Sequence, residues 1–424
     1  SVIRFTGTAG IFSNYCLDTL RFHKVLFENP QGIRQMYCDG GWTSFNLVSF
    51  ASSAAIHGNN IFDSLVFSAG RQYALEDGKT QHVRILHATG DCFGRIRLYS
   101  KNAGQQAFLF KDADTLLVDF VSLNGIHGQG GAVFMATNAI DLGNNTNWIL
   151  SGTPPAQLFW VNGSGEWHDA AHWSYSSGGP SGACIPTSID DVFFDANSFL
   201  TPTDTVLLKN EAECHSMDWS GALGTPMITG LYKISVYGSL RMVPGLINNL
   251  FQPWHFRSDS IGNILHAAGN VFSRAVYFNG SGSWMLTDSL SVTAEVHFQK
   301  GSLNTGGYDI RCSFFDADYD DPRNLSLGSS TITLTSTAQF SWIMDGTNMN
   351  LDPGTSLIRF LYASGMDNQT GNDLDYHNLI FESLTGTNLM RTSQIECRFN
   401  HVTIHANARI FGKNTFDSLT FFPD

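Results

Sequence analysis

The sequence is poor in charge, and its few charges are mostly negative. Charged residues make up 14% of the 424 residues, against about 25% in a typical soluble protein. Lysine and arginine number 24 and the acidic residues 37, so the formal net charge is −13, which disfavours nucleic acid or an anionic membrane as a partner. No apolar run reaches the roughly 18 residues of a membrane span. We therefore expect a soluble chain with no nucleic-acid partner and no membrane span.

Cysteine is sparse, and no two cysteines form a CxxC pair. This spacing excludes a zinc ribbon or a thioredoxin-type redox site. In an exported chain, Cys16 with Cys38 or Cys184 with Cys214 could form disulfides. The odd total of 7 leaves at least one thiol over. The alternative is that the cysteines are small buried apolar residues.

A long-range repeat is the strongest signal that the sequence contains. The phrase IHGNNIFDSLVFSAG (56–70) returns as IFGKNTFDSLTFFPD (410–424), 354 positions later. The same offset holds back towards the start, with a one-residue slip, so that residues 358–424 repeat residues 3–70. We interpret the chain as slightly more than one copy of a unit of about 354 residues and as a segment of a longer tandem array.

Short strand-like runs recur along the unit, including RFHKVLF, SFNLVSF and IFDSLVF. They are rich in Phe, Val, Ile and Leu, are separated by Gly, Asn, Asp and Ser, and begin about 17 to 23 residues apart. No convincing amphipathic helix occurs. The pattern predicts an all-β fold, a parallel β-solenoid in which each coil buries its apolar face on the next. The alternative is a series of tandem antiparallel β-sandwiches, whose strands recur every 8 to 12 residues or so.

Three regions follow from the changes in composition. Residues 1–150 are predicted to form a β-solenoid segment that ends one repeat unit. Residues 151–186 are rich in Gly, Pro and Trp and are predicted to be a connector. Residues 187–424 are predicted to form a second β-solenoid segment.

The segment around the predicted connector carries a specific resemblance. WVNGSGEWHDAAHWS, followed by GACIPTSIDDVFFDANSF, resembles a module of very large surface proteins of gliding and related Bacteroidota, which are type IX secretion substrates and adhesins. The residues that match this pattern are Trp160, Gly163, Gly165, Trp167, Trp173, Pro186, Asp190, Asp191, Phe194, Asp195, Ala196, Asn197, Ser198 and Phe199.

The resemblance implies an extracellular, cell-surface protein with a structural or adhesive role. On this reading the chain is part of a long tandem-repeat filament or adhesin, acts as an extended spacer and contact surface, and is not an enzyme. Its partners would be neighbouring repeats of the same polypeptide, together with surface glycans or the outer-membrane export and gliding-motility machinery.

A carbohydrate-binding or carbohydrate-active β-helix protein is the alternative function. Trp160, Trp167 and Trp173 could stack on sugar rings, although core packing is commoner for tryptophan. Few Lys or Arg residues are available to mark a cleft for an acidic sugar, and no G-x-S-x-G motif occurs. We therefore expect no catalytic residues.

Two motifs suggest metal ligands, and both depart from the known patterns. In FFDADYDDPRN, Asp316, Asp318 and Asp320 have calcium-loop spacing with Asp321 beside them, but the sixth and twelfth positions lack the required Gly and Glu. Calcium is the one cofactor suggested, and a solvated acidic turn is the alternative. HDAAH (168–172) imitates a zinc-protease helix, but it lies in a Gly-rich, turn-rich setting.

The tripeptide Asp, then Ser or Thr, then an aliphatic residue is over-represented. Exported proteins of the same bacteria carry O-glycans on this signature, and the alternative is a turn that leads into a strand. The candidate residues for glycosylation are Thr19, Ser64, Thr115, Thr205, Ser260, Ser289 and Ser418.

Overall fold

The chain is almost entirely β-structure. The computed structural model describes residues 1–7, 10–15, 20–38, 40–102 and 104–422. Strands make up 55% of the chain, with essentially no helix, and they form a parallel β-solenoid of about 18 turns. The predicted all-β parallel solenoid is therefore confirmed, and the antiparallel-sandwich alternative is wrong.

The chain divides into two compact units, Ser1–Pro154 and Pro155–Asp424. The strands of the first unit are β1 Val2–Phe5, β2 Ile11–Asn14, β3 Leu20–Phe27, β4 Ile33–Cys38, β5 Thr43–Phe50, β6 Ser53–Ile56, β7 Asn60–Phe67, β8 Gln72–Leu75, β9 Thr80–His87, β10 Ile96–Ser100, β11 Ala107–Phe110, β12 Thr115–Asp119, β13 Val121–Asn124, β14 Ile126–Gln129, β15 Val133–Asp141 and β16 Trp148–Gly152.

The coils of the first unit are built mainly from two strands each. One sheet has the order β1-β3-β5-β7-β9-β11-β14, and the other contains β2, β4, β6, β8, β10, β13 and β15 in succession. The alternating sequence of each strand places one set of side chains in the space between the sheets. Phe27 and Phe50 are fully buried there and stack with ring centroids 4.7 Å apart. The stacking of one coil's rings on the next supplies the apolar burial that stabilises the unit.

The second unit has many shorter strands. They are β17 Gln157–Trp160, β18 Gly165–Glu166, β19 Trp173–Ser174, β20 Asp191–Phe193, β21 Thr205–Leu208, β22 Ala212–Cys214, β23 Met217–Asp218, β24 Met227–Gly230, β25 Ile234–Val236, β26 Leu240–Arg241, β27 Ile247–Leu250, β28 Trp254–Phe256, β29 Asn263–His266, β30 Val271–Phe272, β31 Val276–Phe278, β32 Ser283–Leu286, β33 Leu290–Val292, β34 Glu295–Phe298, β35 Gly301–Asn304, β36 Ile310–Cys312, β37 Phe314–Ala317, β38 Arg323–Ser326, β39 Thr331–Leu334, β40 Trp342–Gly346, β41 Met349–Asp352, β42 Leu357–Phe360, β43 Gly365–Gly371, β44 Leu374–Phe381, β45 Thr387–Ile404 and β46 Asn407–Phe421.

Most coils of the second unit contain three strands. The first strand of each coil belongs to a sheet of order β19-β17-β20-β23-β26-β29-β32-β35-β38-β41, which we name the groove sheet. A short sheet of order β18-β21-β24-β27 contains one strand from each of the early coils. A long sheet contains β22, β25, β28, β31, β34, β37, β40 and β43 on one run, and β30, β33, β36, β39, β42 and β44 on another, with β45 pairing to both. After β41 the groove sheet ends, and the last coils have two strands.

Residues 151–186, predicted to be a connector, are folded. Within them β17 and β19 pair antiparallel, with Trp160 opposite Trp173. β17 also pairs in parallel with β20, so the Pro-, Gly- and Trp-rich segment forms the first coil of the second unit. The boundary between the units lies between Pro154 and Pro155, because proline cannot donate a ladder hydrogen bond and interrupts the strand pairing.

The repeat in the sequence is also a repeat in hydrogen-bond register. In the first unit β3 pairs with β5 with Leu20 opposite Thr43. In the second unit β44 pairs with β45 with Leu374 opposite Cys397, and both residues lie 354 positions further on. The pairing of β5 with β7 returns in the same way between β45 and β46. The last strands of the second unit therefore pair in the same register as the first strands of the first unit.

Side-chain contacts recur with the register. Ring centroids along two equivalent ladders are 5.2 to 5.5 Å apart: Phe22–Phe45–Phe62 in the first copy and Tyr376–Phe399–Phe416 in the second. The ion pair of Arg4 with Glu28 likewise returns as Arg359 with Glu382. Repeated packing supports the interpretation that residues 358–424 begin a second copy.

Gly58, between β6 and β7, and Gly412, within β46, are equivalent glycines of the two copies. Gly58 has φ +75° and Gly412 has φ +84°, in the left-handed region that favours glycine. A Cβ atom on Gly58 would overlap the carbonyl oxygen of Cys38, and one on Gly412 would overlap that of Thr392. Glycine is thus required at both positions for conformation and for space.

Candidate functional site

The three tryptophans predicted to stack on sugars lie in the core. Trp160, Trp167 and Trp173 are each 0% exposed. Trp173 meets the other two edge-to-face, with ring centroids 5.1 and 5.0 Å away. The indole N–H of Trp160 donates to the Gly163 carbonyl oxygen at 2.7 Å. The prediction of carbohydrate stacking by these residues is wrong, because all three rings are buried in the core of the first coil.

The HDAAH segment forms a turn and not a metal-binding helix. Residues Ala170–His172 form a single 3-10 turn whose N-cap, Asp169, accepts a hydrogen bond from the Ala171 N–H at 2.9 Å. The His172 ring stacks on Trp160 with centroids 5.0 Å apart. This histidine therefore covers the edge of the tryptophan cluster.

The acidic stretch on and after β37 does not assemble a calcium site among the described residues. Nowhere in that part of the chain do three or more His, Cys, Asp or Glu side chains form a group that could hold a metal ion. Asp316 accepts from Tyr319 at 3.0 Å and pairs with His297 at 2.9 Å, whereas Asp318 accepts from Gln369 at 3.0 Å. Asp320 and Asp321 contribute backbone carbonyl oxygens as acceptors, so the four carboxylates have no common centre.

The pKa values of Asp316 and Asp318 move in opposite directions. Burial alone would raise the pKa of Asp316, but hydrogen bonds from His297, the Asp318 N–H and Tyr319 outweigh it and lower this pKa. Burial raises the pKa of Asp318, the hydrogen bond from Gln369 opposes the rise, and neighbouring carboxylates add to it. Asp316 thus belongs to a hydrogen-bonded cluster with His297 and Tyr319.

Six of the seven glycosylation candidates lie in the described chain, and none of the six is buried. Thr19 lies outside the described residues. Of the remainder, two are half-buried on strands and four are exposed: Ser64 on β7 and Thr205 on β21, then Thr115 on β12, Ser260 before β29, Ser289 before β33 and Ser418 on β46. The aliphatic residue that follows is buried in several cases, including Leu65, Val206 and Leu290. The tripeptide therefore marks the passage from the surface into a buried strand position.

The described cysteines do not follow the suggested pairing. Cys214 is a buried free thiol, so the Cys184–Cys214 disulfide is wrong. Cys92 and Cys184 each take part in a disulfide, and Cys16 lies outside the described residues. Burial raises the pKa of Cys312 to about 12, which keeps this thiol protonated and unreactive at neutral pH.

A surface groove of about 460 Å³ lies on the outer face of the groove sheet, across β29, β32, β35, β38 and β41. Two rows of outward side chains run along it, one residue per coil. The first row is Ser283, Ser302, Asn324 and Asn350, and the second is Met285, Asn304, Ser326 and Asp352. Successive rungs follow the strand spacing of about 4.8 Å.

Hydrogen bonds between rungs use only part of this polar surface. Asn324 donates to the Ser302 hydroxyl at 3.2 Å, and Ser326 donates to the Asp352 carboxylate at 3.1 Å. Asn350 has no side-chain hydrogen-bond partner within the described chain. The side-chain oxygen of Asn304 accepts from the Gly306 N–H at 2.8 Å, a bond that uses none of its amide donors. The groove therefore keeps donors and acceptors available on successive coils.

Sequence reasoning missed these groove residues. They stand 19 to 26 positions apart in the chain and become neighbours only through the strand register. The available signal was the outward residue at alternate positions in SWML, GSLN, RNLS and MNLD, which is polar everywhere except at Met285. Each tetrapeptide has a Trp or Leu between its outward residues, buried in the first three and partly buried at Leu351. No single tetrapeptide distinguishes this arrangement from an ordinary surface strand.

A second outward row crosses the long sheet. His255, Tyr277 and His297 stack face to face with centroids 4.8 and 4.3 Å apart. Burial, helped by Arg257 and Lys233, lowers the pKa of His255 to about 3, so the ring is neutral at physiological pH. Both faces of Tyr277 are therefore covered by the two histidine rings.

No protein-family model, curated protein or solved structure matches the chain. Among the described residues there is no helix with the length and apolar character of a membrane span. Inferences about function therefore depend on the geometry given above.

Proposed function

We propose that this chain is a structural and adhesive segment of a long tandem-repeat protein of the cell surface, where it acts as an extended spacer and contact surface and not as an enzyme. The observation that carries the proposal is the return of strand register and side-chain contacts 354 positions apart, as in the Leu20–Thr43 and Leu374–Cys397 pairings. Solenoids built from stacked units gain length with each coil, about 4.8 Å of it.

Neighbouring repeats of the same polypeptide are the first proposed partners. Phe67 on β7 is covered by the coil of β8 and β9 and is only 4% exposed. Its counterpart on β46, Phe421, is 57% exposed. A further coil of the same unit would bury this ring and complete the ladder, as the coil of β8 and β9 does in the first copy.

Display outside the cell fits the chemistry of the chain. The disulfide-bonded state of Cys92 and Cys184 suits an oxidising compartment. We propose export by the type IX route of the Bacteroidota surface proteins that the sequence resembles, with the outer-membrane export or gliding-motility machinery as a further partner. The role that we propose needs no cofactor.

O-glycosylation is part of the proposal. Three exposed candidates, Thr115, Ser260 and Ser289, are open to a modifying enzyme. Ser418 lies on β46, on which the proposed further coil would pack, and its counterpart Ser64 is half-buried. Sugars at such positions would cover the coil edges and turns and would leave the stacked core unchanged.

Carbohydrate binding is the second candidate function. The tryptophans no longer support it, but the polar groove on the groove sheet does, because it offers amides and hydroxyls in register on successive coils. This candidate is compatible with the structural role, since an adhesin needs a contact surface.

The test is made on the source organism. An antibody raised against residues 1–424 should label intact cells, and brief external proteolysis should remove the labelling. The native polypeptide should have a mass several times the 46.6 kDa of this chain, and chemical deglycosylation should lower it. Labelling only after cell lysis would contradict the surface role, and a native mass near 47 kDa would contradict the tandem array.

A further inference from the structure

The groove on the outer face of the groove sheet has a composition that restricts what it can bind. Among the described residues that line it, the only ionisable side chain is Asp352, and no Lys or Arg is present. An anionic ligand would find no cation and would be repelled by the carboxylate. One carboxylate among amides and hydroxyls is also too little for a divalent cation, which takes several oxygen ligands and prefers charged ones.

The groove is not an apolar docking surface either. Trp284, Leu303 and Leu325 lie beneath it with side chains at most 1% exposed. Met285, which is 43% exposed, supplies an apolar contact at one end of the second row. The remaining accessible groups are Ser, Asn and Asp side chains, each of which forms directional hydrogen bonds.

The polar groups match a ligand whose hydroxyls donate and accept in equal measure. Asn350 and Asp352 lie two residues apart on the same face of β41, so an amide and a carboxylate stand side by side as a pair of donors and acceptors. Asn324, on the adjacent strand, donates one side-chain N–H to Ser302, and this bond leaves its second N–H and its carbonyl oxygen for a ligand. Sugar hydroxyls both donate and accept hydrogen bonds, so they match the chemistry of these side chains.

The rows also set the length and direction of the ligand. One rung per coil, about 4.8 Å from the next, is close to the length of one sugar unit in an extended chain. A linear glycan laid along the solenoid axis would therefore meet equivalent groups on β32, β35, β38 and β41, with Met285 against the C–H face of a ring. A sheet face with all its backbone groups in ladders offers no edge for an extended peptide.

We propose that this groove binds a neutral, linear polysaccharide along the axis of the second unit. Asn324, Asn350 and Asp352 hydrogen-bond the sugar hydroxyls, and Met285 packs against a ring. The inference rests on carbohydrate binding, the second candidate function above, whose ligand class it names. It does not rest on surface display or on a tandem array, because it concerns only the described face of one unit.

The experiment uses the full chain and isothermal titration calorimetry. The probes are the neutral hexasaccharides cellohexaose, laminarihexaose, mannohexaose and chitohexaose, with hexagalacturonate as the acidic comparison. At least one neutral probe should bind with a Kd below about 1 mM. Its Kd should stay the same at low and high salt, because no charge pair contributes.

Variants locate the site. Asn324→Ala combined with Asn350→Ala should weaken binding at least about tenfold, because two sets of sugar contacts are lost. Asn249→Ala is the matched control: this asparagine is also exposed on a strand, β27, outside the groove, and its loss should leave the Kd unchanged. All these positions are exposed, and circular dichroism spectra should confirm an unchanged fold.

Three results would overturn the proposal. The first is that none of the four neutral hexasaccharides binds. The second is that hexagalacturonate binds as tightly as the best neutral probe, since the groove would then not discriminate against charge. The third is that the Asn324, Asn350 double variant binds as well as the unchanged chain, which would put the sugar elsewhere.

Discussion

Replacing His255 with glutamine should remove a defined part of the acid sensitivity of the second unit. His255 lies on β28, stacks on Tyr277 with centroids 4.8 Å apart, and has a pKa lowered from 6.5 to about 3 by burial, helped by the positive charges of Arg257 and Lys233. In the unfolded chain the same side chain titrates near 6.5. Between these values the unfolded state binds the proton and the folded state does not, so stability falls as the pH falls through this window.

The size of the effect follows from the two pKa values. Near pH 7.5 both states are mostly unprotonated and His255 contributes almost nothing to the pH dependence. At pH 5 protonation of His255 in the unfolded state lowers the free energy of unfolding by about 2 kcal/mol. The unchanged protein should therefore lose about 2 kcal/mol more stability between pH 7.5 and 5 than the His255→Gln variant does.

The assay is urea unfolding at both pH values, followed by tryptophan fluorescence. Comparing the two proteins across the same pH change cancels the contribution of every other titrating group. Tyr277→Phe is the matched control, since it keeps the stacked ring and keeps His255, and should show the full acid sensitivity. If the unchanged protein and His255→Gln lose the same stability on acidification, the burial of His255 does not have the assigned effect.

Two further predictions test the equivalence of the copies. Gly58→Ala and Gly412→Ala should each lower the free energy of unfolding by about 2 kcal/mol or more, because the backbone has a left-handed φ and the added Cβ overlaps a neighbouring carbonyl. Gly78→Ala should lower it by only about 1 kcal/mol, because Gly78 has φ +69° but open space around it. Equal losses of melting temperature for all three variants would contradict the steric argument. Phe27→Ala and Phe381→Ala, at equivalent fully buried ladder positions, should each cost about 3 to 5 kcal/mol in urea unfolding, and a negligible cost at either would refute their common role.

Much of the fold could be predicted because the strand signal repeats. RFHKVLF, SFNLVSF and IFDSLVF correspond to β3, β5 and β7, where long alternating runs leave little ambiguity. In the second unit many strands have only two to four residues. Such short runs carry too few alternations to be seen singly, so the three-strand coil was not evident from the sequence.

The direction in which side chains face was harder to predict than the strands. The local sequence does not distinguish an inward tryptophan from an exposed one. Trp160 and Trp173 are thirteen residues apart, and their positions depend on the antiparallel pairing of β17 with β19. The groove depends on register over several coils. Ser302 and Asn324 become neighbours only because β35 pairs with β38. They are too far apart in the sequence for a local pattern to show that they are neighbours.

Hydrogen exchange on an extended chain tests the central claim, that the unit stacks on copies of itself, most directly. The extended chain is made by adding a second copy of residues 71–154 directly after residue 424, which keeps the 354-residue offset of the repeat. The account predicts that the amides of β46 (Asn407–Phe421) become strongly protected, as those of β7 are, while β3 is unchanged. Exchange of β46 at the same rate in both chains would contradict the claim.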